Sequence, residues 1–125
     1  MKYKESEEMY LETIYILKQK NSYLRSVDVA NELDYSRASI SVAMKRLREK
    51  DYISIDSLGV ISLTEKGRKL AHDIYEKHHL LTAMLMGIGA EQSLAEENAC
   101  RIEHVISKEL VDVIRSHLQS QIQTT

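Results

Sequence analysis

Within residues 97–107, a thiol, a carboxylate and an imidazole stand at Cys100, Glu103 and His104. On an α-helix, positions i, i+3 and i+4 share one face, so the three side chains are expected to point the same way, as three sides of a divalent-metal site. A thiolate with an imidazole suits Fe, Zn, Co or Ni better than Mg or Ca, and the carboxylate also accepts Mn. The plainer alternative is a free core cysteine beside two solvated polar residues. Two further classes stay open on these residues. A thiol beside His104 would have the lowered pKa of a redox sensor, in a regulator answering to cysteine oxidation or to a small organic ligand. Cys100 and His104 at i and i+4 also form a nucleophile-base pair on paper, but no Gly-rich loop, oxyanion element or second acid-base pair accompanies them, so an enzyme is not expected.

The elements that must position these residues follow from composition. At 125 residues the chain suits one compact domain, or two small units. It has no proline and four glycines, which with many Leu, Glu, Lys, Ala and Ile residues predicts a mostly α fold with short connections. Its first residues are charged rather than apolar, which argues against a secretory signal, and the greasy run 80–90 is too short to span a bilayer. A cytoplasmic location without membrane contact is the expectation, and the single cysteine excludes an internal disulfide. Charge is polarised along the chain: Arg37, Lys45, Arg46, Arg48 and Lys50 face one acid, Glu49, whereas the stretch after Gly89 is acidic. A basic half can meet phosphates and an acidic half can hold cations, although solvated helix faces would also read this way.

Apolar spacing at Tyr10, Ile14 and Leu17 predicts a first helix from about Glu7 to Lys20. A short second helix is expected after a Ser26 cap, with Val27, Ala30 and Leu33 inward. Ser36 should cap a third helix that buries Ile40, Met44 and Leu47 at i, i+4 and i+7. The period then changes: apolar runs at 52–55 and 60–63 flank a turn containing Gly59, which predicts a β-hairpin. A long fourth helix should open after Thr64 and run to about Met86, ended by Gly87 and Gly89. A fifth is expected from about Ser93 to Ile106, and a sixth, capped by Ser107, from Lys108 to about Gln121, followed by a frayed polar tail over 120–125.

Two short helices joined by a tight turn and followed by a hairpin are in the order of a winged helix-turn-helix. The second of them must bury one face while its first turns present small polar or basic residues to base edges in the major groove. That leaves Ser36, Arg37, Ala38, Ser39 and Val42 outward, with Lys45 and Arg46 further along for phosphates and Arg25 at the start of the preceding helix. The expected partner is double-stranded DNA.

With both halves read, the chain resembles the diphtheria toxin repressor and manganese transport regulator family of metal-dependent transcriptional repressors. The resemblance spans nearly the whole chain and is carried by residues 8–15, 63–67, 77–81 and 99–104. It implies a winged helix-turn-helix over 1–70 followed by a helical metal-binding and dimerisation unit over 71–125, without the additional carboxy-terminal domain of longer members. It also implies Fe(II) or Mn(II) as the activating ion, with Co(II), Ni(II) or Zn(II) as substitutes. Met9, Cys100, Glu103 and His104 match ligands of the iron-responsive branch, Glu12 matches a carboxylate ligand of the manganese branch, and His78 matches a ligand of both. Thr82 and Glu96 depart from the second site of the iron branch, leaving open a site rebuilt from Glu96, His78 and Glu12. His79 is read as surface, and His72 and His117 have no partner pattern.

The implied mechanism is a cation that ties the first helix to the dimerisation half, so that two recognition helices of a homodimer read a palindromic operator with half-sites about one helical turn, ~34 Å, apart or a multiple of it. Leu94, Ile102, Val105, Ile106, Leu110, Val113, Ile114 and Leu118 exceed what one small core needs, and part of that surface is expected in the dimer.

Overall fold

A computed structural model describes residues 2–123, with side chains over 7–121. The element order is α1 (Lys2–Lys20), α2 (Ser26–Leu33), α3 (Arg37–Glu49), β1 (Ile53–Ile55), β2 (Ile61–Leu63), α4 (Glu65–Gly87), α5 (Gln92–Ile102) and α6 (Lys108–Gln123). The chain divides into two compact units, Met1–His72 and Asp73–Thr125. No helix among the described residues is long and apolar enough to cross a membrane.

The first unit is three helices and a hairpin around one core. Leu11 and Ile14 of α1, Leu24, Val29 of α2, Ile40, Met44 and Leu47 of α3, and Ile53 and Ile61 of the hairpin close that core. Tyr10 joins it and meets Tyr35 edge to face. Burial pushes the Tyr10 phenol above its ordinary range, and the neighbouring Tyr35 adds to the shift. The inward row of α3 is the expected one, because Ile40, Met44 and Leu47 lie at helical spacing on its apolar stripe. The Ser36 hydroxyl caps that helix by accepting from the Ser39 amide.

The start of α2 differs from expectation. Ser26 is its first helical residue and Arg25 occupies the cap position, with the Arg25 amide donating to the Asp28 carboxylate at 2.9 Å. A carboxylate in the first turn also meets the positive end of the helix dipole, so Asp28 does the work assigned to Ser26. Ala30 is buried and Leu33 packs against the core as expected, whereas Val29 is buried and Val27 exposed. Similarly, α1 begins at Lys2, ahead of the Glu7 expected from apolar spacing, and the Lys50 ammonium pairs with Glu7 at 2.7 Å.

The wing is antiparallel, with Ile53 opposite Leu63 and Ile55 opposite Ile61. Its turn is tied by Asp56, whose Oδ1 accepts from the amides of Leu58 and Val60, both at 2.9 Å, while Gly59 takes a positive φ of 84°. The strand β2 is joined back to the helices through the Ile61 amide, which donates to the Leu24 carbonyl. The helix α4 then starts against the wing. Thr64 caps it, accepting from the Gly67 amide at 3.0 Å while donating to the Asp51 carbonyl. Gly67 is required there, since a Cβ would sit 1.9 Å from the Tyr52 carbonyl oxygen.

In the second unit, Leu81, Ala99 and Ile114 form the core, with Met84, Ile102, Ile106 and Leu118 packed against it. Helix α6 has the expected Ser107 hydroxyl accepting from Leu110, and helix persists to Gln123 rather than fraying from Ser120, with 124–125 outside the described residues. Helix α5 ends at Ile102, four residues before the predicted Ile106.

Candidate metal centre and DNA-reading face

The early end of α5 changes how the metal-ligating triplet is built. Cys100 is in the last turn of the helix, Glu103 is the residue that caps it, and His104 lies in the following turn. Glu103 keeps a helical backbone, φ −57° and ψ −25°, and its amide still donates to the Ala99 carbonyl. That continuity preserves the side-chain directions a full helix would have imposed. One ligand atom each of Cys100, Glu103 and His104 therefore lies within 4.8 Å of the others. Donors at about 2.0–2.3 Å from one ion are up to about 4.6 Å apart, so only a small inward adjustment of these side chains is needed to enclose a single ion.

The burial of these groups is uneven, and that decides their chemistry. The Glu103 side chain is 0% exposed and His104 7%, whereas Cys100 is exposed. One carboxylate oxygen of Glu103 is 2.9 Å from His78 Nδ1, a hydrogen bond from α4. The other, Oε1, is buried without a hydrogen-bond partner and lies 3.4 Å from His104 Nε2. A buried acceptor left unsatisfied costs about 1–3 kcal/mol, more when it is charged. The unsatisfied Glu103 oxygen, an imidazole nitrogen and a thiol fit a divalent transition metal: the ion would supply positive charge to that oxygen, and the donor set suits borderline metals.

The remaining sequence-predicted ligands are placed as follows. His78 stands one hydrogen bond from Glu103 in the second unit, and its backbone carbonyl accepts from the Thr82 hydroxyl. Met9 and Glu12 belong to the first unit, one turn apart on α1; both are half-buried, and Met9 packs against the core there. Glu96 is exposed and accepts from Gln92. His79 is exposed as expected, its ring edge to face with Tyr75. Spacing offers no partner for His72, yet its Nδ1 is 3.0 Å from the Tyr15 hydroxyl. His117 likewise meets Gln121 one turn on. The pairing of Tyr15 with His72 joins residues 57 positions apart, which no local pattern signals.

The residues expected to face DNA lie on the surface of the first unit. Arg25, Ser36, Arg37, Ala38, Ser39, Val42, Lys45 and Arg46 are all exposed. They are the complement of the buried Ile40, Met44 and Leu47 row, so packing the helix on one side leaves them outward. The cap engages two of the hydroxyls, since the Ser36 hydroxyl donates to Ser39 Oγ at 3.0 Å.

Of the apolar set expected in part at a subunit contact, Leu94, Val105, Leu110 and Val113 are exposed, as are Met86 and Ile88 outside that set. Ile102, Ile106, Ile114 and Leu118 from that predicted set are instead used in the unit's own core.

Two family models match successive parts of the chain. Residues 2–57 match the iron dependent repressor N-terminal DNA binding domain, and residues 64–121 match the iron dependent repressor metal binding and dimerisation domain. An uncharacterized HTH-type transcriptional regulator of Methanocaldococcus jannaschii is 29% identical over 117 residues, covering 92% of this chain and 94% of that protein. Among solved structures, the manganese regulator SloR superposes with a TM-score of 0.80 at 28% identity, over 90% of this chain and 53% of SloR. Cadmium-bound ScaR gives 0.79 at 27% identity over 90% of this chain and 53% of ScaR. The fold is also that of IdeR of T. acidophilum, with a TM-score of 0.77 at 23% identity over 90% of this chain and 53% of that protein. The chain thus spans about half the length of these structural relatives and nearly all of the Methanocaldococcus jannaschii protein. With a metal-sized donor cluster in one unit, a winged helix-turn-helix in the other and both family domains matched in order, the chain belongs to the iron-dependent repressor family of metal-dependent, DNA-binding transcriptional repressors.

Proposed function

We propose that this protein represses transcription of metal-homeostasis genes by binding a palindromic operator as a homodimer, and that Fe(II) or Mn(II) is the activating ion. The observation that carries the reading is the buried, unsatisfied Oε1 of Glu103 beside Cys100 and His104. A bound cation supplies the positive charge that this oxygen lacks. Glu103 would hold the ion from the end of α5, Cys100 and His104 would close the sphere, and His78 would orient the carboxylate through its ring nitrogen or ligate in turn. Met9 and Glu12 are assigned to the liganding set by the resemblance of the α1 segment. That assignment makes α1 the element through which metal occupancy reaches the DNA-reading unit.

Several features support operator binding. The exposed row of α3 carries Arg37, Lys45 and Arg46 with no acid before Glu49. Exposed Leu94, Leu110 and Val113 on α5 and α6 offer apolar surface for a subunit contact, and a twofold dimer would present its reading helices to a twofold site. A ligand shifts such an equilibrium only by its differential affinity, so the ion must bind best in the DNA-competent arrangement. The test is operator affinity with and without Fe(II), Mn(II), Co(II) and Zn(II), the Fe(II) arm run without oxygen. Tightening by one or more of these ions is expected, with loss on chelation, and indifference to all four would refute the reading. Met9→Ala and Glu12→Ala should weaken the metal response while leaving metal-free folding intact.

A further inference from the structure

On the reading face of α3, the side chains able to form directed hydrogen bonds to bases are the basic residues and the serine hydroxyls. Between Arg37 and Arg48 there is no Asn, Gln, Asp or Glu. The hydroxyls of Ser36 and Ser39 are bonded to each other at the helix start. At the middle of the exposed row stands Val42, 57% exposed on a helix whose other large apolar residues are buried. Its side chain is opposite the buried Ile40 and Met44, one turn from Ala38 and between Arg37 and Lys45, so the apolar surface is bracketed by charges suited to phosphate. A protein-docking patch would need neighbouring apolar area; here the surroundings are basic and small.

In the major groove of unmodified DNA, only thymine carries an apolar group, its C5-methyl, and an aliphatic side chain distinguishes it from the polar edges of the other bases. We propose that Val42 is a specificity-determining residue that reads thymine methyl groups, with Ala38 as the small neighbour that lets the base edge approach. This rests on the operator-binding reading above and names the chemistry by which that operator is recognised. The rise of a helix over four residues is about 6 Å, so a thymine read by Val42 and a base facing Ala38 are no more than about two base-pair steps apart. Charged contacts from Arg37, Lys45 and Arg46 then set position rather than sequence.

The experiment starts from duplexes recovered from a random-sequence pool with the Mn(II)-loaded protein. The tightest duplex is remade with deoxyuridine in place of thymidine at single positions of each half-site, which deletes only the methyl group. Loss of one methyl contact should weaken binding about fourfold per half-site at the position read by Val42. In Val42→Ala the same replacement should cost nothing, because the partner surface is gone, so the two changes are non-additive. Equal affinity for the thymidine and deoxyuridine duplexes at every position would overturn the proposal, as would a full deoxyuridine penalty retained in Val42→Ala. Recovery of no duplex would instead refute the operator-binding reading beneath it, and this inference with it.

Discussion

Replacing Glu103 by glutamine should separate the cost of this carboxylate from its use. The side chain is fully buried, one oxygen is bonded to His78 and the other has no donor. Glutamine keeps the volume, lets one oxygen keep its place beside His78, and puts an amide N–H₂ where Oε1 was, facing His104 Nε2 from 3.4 Å. An unsatisfied buried acceptor costs about 1–3 kcal/mol, so the metal-free Glu103→Gln protein should match or exceed metal-free wild type by up to about 2 kcal/mol. For a chain of this size that is roughly 4 °C in Tm per kcal/mol. The ordering should reverse with metal. Mn(II) at about 100 times its Kd stabilises the wild type by ~2.7 kcal/mol, a rise of roughly 10 °C, whereas a neutral amide is a poor ligand and should show almost none. The assay is thermal unfolding followed by circular dichroism, in chelator and in Mn(II), for both proteins. A metal-free variant less stable than wild type by more than about 2 kcal/mol would refute the claim that the carboxylate is held at a cost. A Mn(II) shift retained in Glu103→Gln would refute its role as ligand.

Other outcomes follow from the same geometry. Gly67→Ala gains about 1 kcal/mol of helix propensity but places a Cβ 1.9 Å from the Tyr52 carbonyl oxygen, so a net loss of about 1–3 kcal/mol is expected in urea unfolding. Lys45→Ala should weaken binding evenly across DNA sequences and lower the slope of log affinity against log salt by about one, as read from titrations at several salt concentrations. Cys100→Glu exchanges an exposed soft donor for a hard one and should shift the ratio of Zn(II) to Mn(II) affinity toward Mn(II) by on the order of tenfold, measured by competition between the two ions.

Much of the architecture was legible because it is local. The α3 row Ile40, Met44 and Leu47, the caps at Ser36, Thr64 and Ser107, and the Gly59 turn each follow from spacing or from what one residue type does at one backbone position. Cap identity at α2 was less legible, since Ser26 and Asp28 both lie within reach of the helix start and the choice depends on which rotation buries Val29. The close approach of Gly67 to Tyr52 could be read only as a glycine in a helix, which by itself argues against helix.

The candidate site divides along the same line. That Cys100, Glu103 and His104 gather follows from their spacing, because neighbours on a helical trace converge whether or not the last turn is counted as helix. Spacing carries no information on the complete burial of Glu103 beside an exposed Cys100, nor on the hydrogen bond that His78, 25 residues earlier, makes to one of its two oxygens. Burial and distant pairing depend on how separate elements pack, and the energetic weight of the site lies there: a carboxylate in water needs no cation, whereas one withdrawn from water with an oxygen left unpaired does.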